Sequence, residues 1–218
     1  MNIKAAIFDM DGTMVDSLIL WDVFWDQFGK KYRNGNAFRP DAADSKAVRT
    51  VPLKDAMELI HNHYQLGESG KELLDLADKI VMEFYSHEVK LKEGVREFLE
   101  YCKENGVKMC VASATAPVHL ELVLKRFQLE SYFSEVFSCE TLGVGKEVPD
   151  VFLLARKHLG TAPEETWVFE DSLVAIETAT KLGMPTVGIY DKYNPNQERV
   201  RMTATEYIAE GESLAKLI

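Results

Sequence analysis

The chain has little cysteine and a shortage of basic charge. Its three cysteines, Cys102, Cys110 and Cys139, make no C-x-x-C pair and no cluster with histidine. That argues against both a zinc site and a disulfide framework. Cys110 sits in an apolar run and reads as buried packing, and reduced thiols suit the cytoplasm, the expected location. Lysine and arginine number 25 against 35 aspartates and glutamates, a formal net charge of −10. Such a balance offers no general footing on nucleic acid or an anionic membrane, so neither is an expected partner. The opening MNIKAAIFDMDGT meets acids too soon for a signal peptide or a membrane span. Internal repeats and low-complexity segments are also missing.

What is present is enough apolar sequence, 46% of 218 residues, for one substantial core and a small second module. Five short apolar runs read as strands buried on both faces: residues 4–8, 107–113, 135–139, 166–171 and 185–190. Buried strands of this kind belong to a parallel sheet covered by helices, an α/β fold. Helical stripes lie between them. Val95, Phe98, Leu99 and Cys102 form one; Leu120, Val123, Leu124 and Phe127 another; Val151, Leu154, Ala155 and Leu159 a third. Ala175, Ile176 and Ala179 mark a shorter one. Gly106 and Gly183 fit helix exits.

Nearly a hundred residues separate the first strand from the second, and their pattern is helical. Leu53, Ala56, Met57 and Ile60 share a face, as do Leu73, Leu76, Ala77, Ile80 and Phe84. An aromatic-rich helix from Leu18 to Phe28 precedes both. Residues 17–87 therefore read as an inserted helical module, with residues 1–16 and 88–218 forming the sheet domain. Within the insert, the polar stretch 34–50 reads as a loop, and Trp21, Phe24, Trp25 and Phe28 read as core rather than a ligand platform.

Asp9 and Asp11 follow the first strand directly. At strand spacing, residues i and i+2 point the same way, so both carboxylates can face one site. Ser113 closes the second strand, Lys146 lies in TLGVGKEVPD, and Glu170 and Asp171 close TWVF. Each has a plain structural reading as well. Asp9 and Asp11 make an acidic turn, Ser113 a helix cap, Lys146 a solvated loop residue, and Glu170-Asp171 a helix N-terminus favoured by its dipole. Together they answer one electrostatic problem, the attack of an anionic carboxylate on an anionic phosphate. A divalent cation on oxygen ligands, a lysine charge and hydroxyl donors would offset that repulsion. Asp9 then serves as nucleophile or as a metal ligand alone. Asp11 serves as the acid that protonates the leaving oxygen and the base that later activates water. For the first of these tasks it must hold a proton near neutral pH.

FDMDGT at 8–13, the strand-end Ser113, Lys146 followed by Pro149-Asp150, and FEDS at 169–172 resemble the haloacid dehalogenase superfamily. All four motifs stand in order over nearly the whole chain. The likeness is to its helical-cap branch, which includes β-phosphoglucomutase-like and phosphoglycolate phosphatase-like proteins. It implies a Rossmann-like parallel-sheet core with an inserted helical cap. It makes Asp9 the nucleophile, Asp11 the acid/base, and Ser113 and Lys146 the phosphate contacts. Mg²⁺ would be held by Asp9, the backbone carbonyl of Asp11 and Asp171, with Glu170 supporting the metal or its waters. The D-x-D form points to phosphoryl transfer, since dehalogenases of the superfamily lack the second acid.

The expected activity is hydrolysis of a small phosphomonoester, a sugar phosphate, through an aspartyl-phosphate, by a monomer or weak homodimer. A phosphomutase and a non-catalytic protein that binds phosphorylated metabolites are the alternatives. Glu147 departs from the common GKPxPD by replacing a proline, which would loosen that turn. Lys46 and Arg49 in the insert are either contacts for a second anionic group or plain solvated charges.

Overall fold

The computed structural model describes residues 2–48 and 53–218. The chain divides into two compact units, Ile19–Glu88 and the remainder, Met1–Leu18 with Val89–Ile218. The larger unit is built on a six-stranded sheet. Its strands are β1 (Ala5–Phe8), β2 (Lys108–Ser113), β3 (Val136–Ser138), β4 (Thr166–Glu170), β5 (Thr186–Ile189) and β6 (Glu206–Ile208). All neighbours are parallel, in the order β3-β2-β1-β4-β5-β6. All four residues of β1 and all five of β4 are buried. This is why these segments read as continuous apolar runs and not as alternating ones. β6 lacks that signal, because its three residues run from exposed to buried at the sheet edge.

The smaller unit is helical: α1 (Leu20–Tyr32), α2 (Ala42–Ala47), α3 (Leu53–Tyr64) and α4 (Gly70–Glu83). Phe24, Trp25 and Phe28 of α1 are buried and Trp21 is half-buried, as expected for core. The segment expected to be a loop contains α2. Asp41 caps it by accepting the Asp44 N–H at 2.9 Å, and Asp44 in turn meets His63 Nδ1 of α3 at 2.8 Å. A six-residue helix with one buried residue carries too little apolar periodicity to be recognised from sequence.

Around the sheet lie α5 (Val95–Glu104), α6 (Pro117–Arg126), α7 (Cys139–Leu142), α8 (Asp150–Leu159), α9 (Leu173–Lys181) and α10 (Gln197–Thr203). On one face, Ala5 and Ile7 join Val151, Phe152, Ala155 and Leu159 of α8 in the core. On the other, Phe8 stacks on Phe169 at 4.4 Å between centroids, and Phe98 of α5 lies 5.1 Å from Phe169. The three cysteines are free and buried. No helix among the described residues is long and apolar enough to cross a membrane.

Beside the central β1 the chain switches from building the sheet toward β3 to building it toward β6. In open α/β sheets that reversal leaves a crevice at the strands' carboxyl ends, here those of β1 and β4. The aromatic cluster under these ends sets how firmly they are held. Phe98→Ala, which empties a fully buried position, should lower unfolding free energy by about 3–5 kcal/mol in urea titration.

Candidate active site

Asp9 is the first residue past β1, and its N–H still bonds the Phe169 carbonyl of β4 at 3.0 Å. Its place is thus set by the sheet. Its buried carboxylate accepts from Lys146 Nζ at 2.6 Å, and the same ammonium donates to Glu170 Oε1 at 2.5 Å. Glu170 Oε2 accepts the backbone N–H groups of Asp171 (2.8 Å) and Ser172 (3.0 Å), so both its oxygens are engaged. Asp9, Glu170 and Asp171 are all buried, with one ligand oxygen of each within 4.8 Å of the others.

The turn after Asp9 needs its glycine. Gly12 has φ +75°, and a Cβ there would stand 2.8 Å from Asp171 Cγ. Glycine at this position therefore lets the β1 loop lie directly on the Asp171 carboxylate. Lys146 reaches both its acids despite Glu147 in place of proline. The Glu147 side chain folds against Gly145, where a Cβ would meet Oε2 at 2.1 Å.

The Asp11 carboxylate lies outside the acidic trio. Strand geometry ends at Phe8, so alternation no longer fixes the direction of Asp11. Its Oδ1 accepts from Ser17 Oγ at 2.5 Å and its Oδ2 from Thr115 Oγ1. Ser113, at the end of β2, is buried and accepts the Thr115 N–H at 3.2 Å. It is not a helix cap, since α6 begins later with Ala116 as N-cap; it shapes the turn that aims Thr115. Ser138 Oγ adds a bond to the Thr115 carbonyl at 2.8 Å. Ser17 and Thr115 carry no local pattern that singles them out, because Thr115 meets Asp11 across 104 residues of sequence. Lys46 is exposed in the last turn of α2, and Arg49 lies outside the described residues.

Three buried acids lie around one largely buried ammonium that bonds two of them, and the titration behaviour follows from that. Burial, then the neighbouring Glu170 charge, pushes Asp9 up to about 7, with Lys146 offsetting only part of this. Burial and the charges of Glu170 and Asp9 raise Asp171 well above the carboxylate range. Burial alone would lower Lys146, but the Asp9 and Glu170 carboxylates outweigh it and raise it. A hard divalent cation is the natural complement to this surplus of carboxylate oxygens, so the residues present fit Mg²⁺.

Asp9 and Asp171 hold protons more tightly folded than unfolded. Their stabilising contribution is therefore complete below the ordinary value of 3.8 and is lost as pH rises through the raised one, about 7 for Asp9. The acids with lowered values, such as Glu72 and Glu212, act oppositely but below this window. In chelator, the urea midpoint should fall between about pH 5 and about pH 8, Mg²⁺ should restore it, and Asp171→Asn should flatten the fall. An unchanged wild-type midpoint across that range would contradict the charge imbalance.

Comparison with known proteins agrees with this geometry. Residues 3–183 match the profile of the family described as haloacid dehalogenase-like hydrolase. The phosphorylated carbohydrates phosphatase of Thermotoga maritima is 26% identical over 212 residues, covering 97% of this chain and 96% of that protein. Hexitol phosphatase B of Escherichia coli K12 is 33% identical over 177 residues, 79% of this chain and 77% of that one. Among solved structures, CbbY from Rhodobacter sphaeroides in complex with phosphate superposes with a TM-score of 0.76. It is 21% identical and 99% of each chain is covered, a likeness of fold. With six parallel strands, buried acids at the carboxyl ends of β1 and β4, and a family match over most of its length, the chain belongs to the haloacid dehalogenase-like hydrolases.

Proposed function

We propose that the protein is a Mg²⁺-dependent phosphatase acting on a small phosphorylated metabolite, a sugar or polyol phosphate, through an aspartyl-phosphate on Asp9. The observation that carries this reading is the separation of two acids two residues apart. Asp9 is paired with Lys146 in the buried trio, whereas Asp11 is held apart by two hydroxyls. A site built only to hold a cation has no need of the second arrangement. The substrate class rests on the relatives named for phosphorylated carbohydrates and hexitol phosphates.

Asp9, Asp171 and the backbone carbonyl of Asp11 would hold Mg²⁺, with Glu170 behind them. When bound, the cation supplies the positive charge that lets a carboxylate approach a phosphate. An Asp9 oxygen then attacks phosphorus as the bond to the leaving oxygen breaks, and Asp11 gives that oxygen its proton. Lys146 meets the negative charge growing on the transferring oxygens. Ser113 accepts from Thr115 and so keeps its own O–H to donate to them. In the second half Asp11 takes a proton from the water that attacks the phosphorus of the aspartyl-phosphate, releasing phosphate and regenerating Asp9. Ser17 and Thr115 suit both halves. A hydroxyl donates to an ionised carboxylate and accepts from a protonated one, so Asp11 stays aimed through the cycle. Selection of the substrate would fall to the helical unit Ile19–Glu88, if it serves as the cap does in the branch this chain resembles.

A screen of sugar and polyol phosphates with Mg²⁺ should show phosphate release that chelator abolishes. Isomerised product with little release would move the assignment to a phosphomutase, and binding without either product would reduce the protein to a carrier. Lys146→Ala should lower turnover about a hundredfold, the loss of roughly 3 kcal/mol of transition-state stabilisation. Asp9→Asn should abolish turnover. Asp11→Asn, given a nitrophenyl phosphate whose leaving group needs no proton, should accumulate one phosphoryl group on Asp9, seen by intact mass and peptide mapping. Phosphoryl label on Ser113 would overturn the assignment of the nucleophile.

A further inference from the structure

The Asp171 carbonyl lies past the end of β4 and before Ser172, the N-cap of α9. It therefore belongs to neither the strand ladder nor the helix ladder. It is nonetheless bound, by Asn194 Nδ2 from the segment after β5. The amide orientation of Asn194 follows from its other end, where Oδ1 accepts the Asn196 N–H at 2.9 Å. Asn194 itself is held by Asp191, whose carbonyl accepts the Asn194 N–H at 3.0 Å.

Asp191 is buried, and both its carboxylate oxygens are taken. Oδ1 accepts the Tyr193 N–H at 2.9 Å and Oδ2 accepts Lys92 Nζ at 2.8 Å. Lys92 is in turn tied to the loop that carries Asp9 and Asp11, through its N–H to the Met14 carbonyl at 2.9 Å. A continuous chain of bonds thus runs from the β1 loop through Lys92, Asp191 and Asn194 to the main chain of Asp171. None of Lys92, Asp191 and Asn194 belongs to the four motifs.

The physical consequence is local. The Asp171 N–H is fixed by Glu170 Oε2 at 2.8 Å and its carbonyl by Asn194. With both flanking peptide planes held, the direction of its Cα–Cβ bond is set, which limits the positions from which its carboxylate can approach those of Asp9 and Glu170. We propose that Asn194, anchored by the buried Asp191 and its Lys92 partner, is a positioning residue that holds Asp171 in its metal-binding orientation. This rests on the assignment of Asp171 as a ligand of a divalent cation.

The test is isothermal titration calorimetry of the whole protein with Mn²⁺, comparing wild type with Asn194→Ala and Asn194→Gln. The second variant keeps an amide but moves it by one methylene. Both should bind Mn²⁺ roughly tenfold more weakly, the usual cost of losing a group that orients a ligand from behind. The Mg²⁺ concentration that gives half-maximal turnover should rise by a similar factor. Urea midpoints confirm that titrations are made on folded protein. Wild-type Mn²⁺ affinity in either folded variant would overturn the proposal, as would lost turnover at saturating metal with affinity unchanged. A wild-type protein that binds no Mn²⁺ would instead remove the metal assignment itself, and the positioning role with it.

Discussion

Three buried acids, Asp9, Glu170 and Asp171, meet one largely buried ammonium, that of Lys146, at the carboxyl ends of β1 and β4, so acidic groups outnumber the basic one. A buried ion pair barely repays its desolvation, and an additional buried acid has no such return. The rest of the sheet domain can be understood as what makes that concentration of charge tolerable. Parallel pairing of β1 with β4 brings the acids together at the ends of strands whose own residues are fully buried. Backbone N–H groups at the start of the following helix take Glu170, and glycine at position 12 brings the β1 loop into contact with Asp171. With no cation bound, such an arrangement is expected to cost stability, a common exchange at sites built for reaction rather than for folding.

Asp11 belongs to the same loop and is treated differently. It leaves the trio because the chain turns after Asp9, and it is met by hydroxyls instead of by lysine. Nearness in sequence therefore does not imply a shared environment. One acid is paired with a fixed positive charge, and the other is held by groups that can reverse a hydrogen bond. In the proposed mechanism that difference in partners would divide the labour between nucleophile and acid/base, and it arises from Ser17 and from the turn after β2 that presents Thr115.

The topology explains why residues so far apart converge. Lys146 reaches Asp9 across 137 residues, and Glu170 closes β4, which is fourth in sequence but lies directly beside β1 in the sheet. In a parallel sheet every strand ends at the same edge, so strand-end residues become neighbours whatever their separation. The aromatic layer of Phe8, Phe98 and Phe169 beneath that edge gives the two central strands a common rigid base.

Much of this was legible in the chain itself. Five of the six strands are apolar runs. Of these, β1, β2, β4 and β5 are buried almost throughout, as strands covered on both faces must be. By contrast, β3 is a half-buried edge strand and not the fully covered one its apolar run suggests. Of the residues singled out, Asp9, Glu170 and Asp171 lie together because the ends of β1 and β4 meet, and Lys146 reaches the first two from the segment after α7. Asp11 and Ser113 are linked to each other through Thr115. The sixth strand, β6, and the short helix α2 were not legible. Each is too brief and too exposed to leave a periodic trace, and each is held by partners distant in sequence. The hydroxyls of Ser17 and Thr115, and the amide of Asn194, were hidden for the same reason. Serine, threonine and asparagine occur in any loop, and only the tertiary structure decides which of them meets a carboxylate or a carbonyl. Local periodicity and motif determined the fold class and the charged residues, because burial and strand order constrain residue type. Long-range hydrogen bonding decided how each acid is held, because a bond between distant segments imposes no pattern on either one.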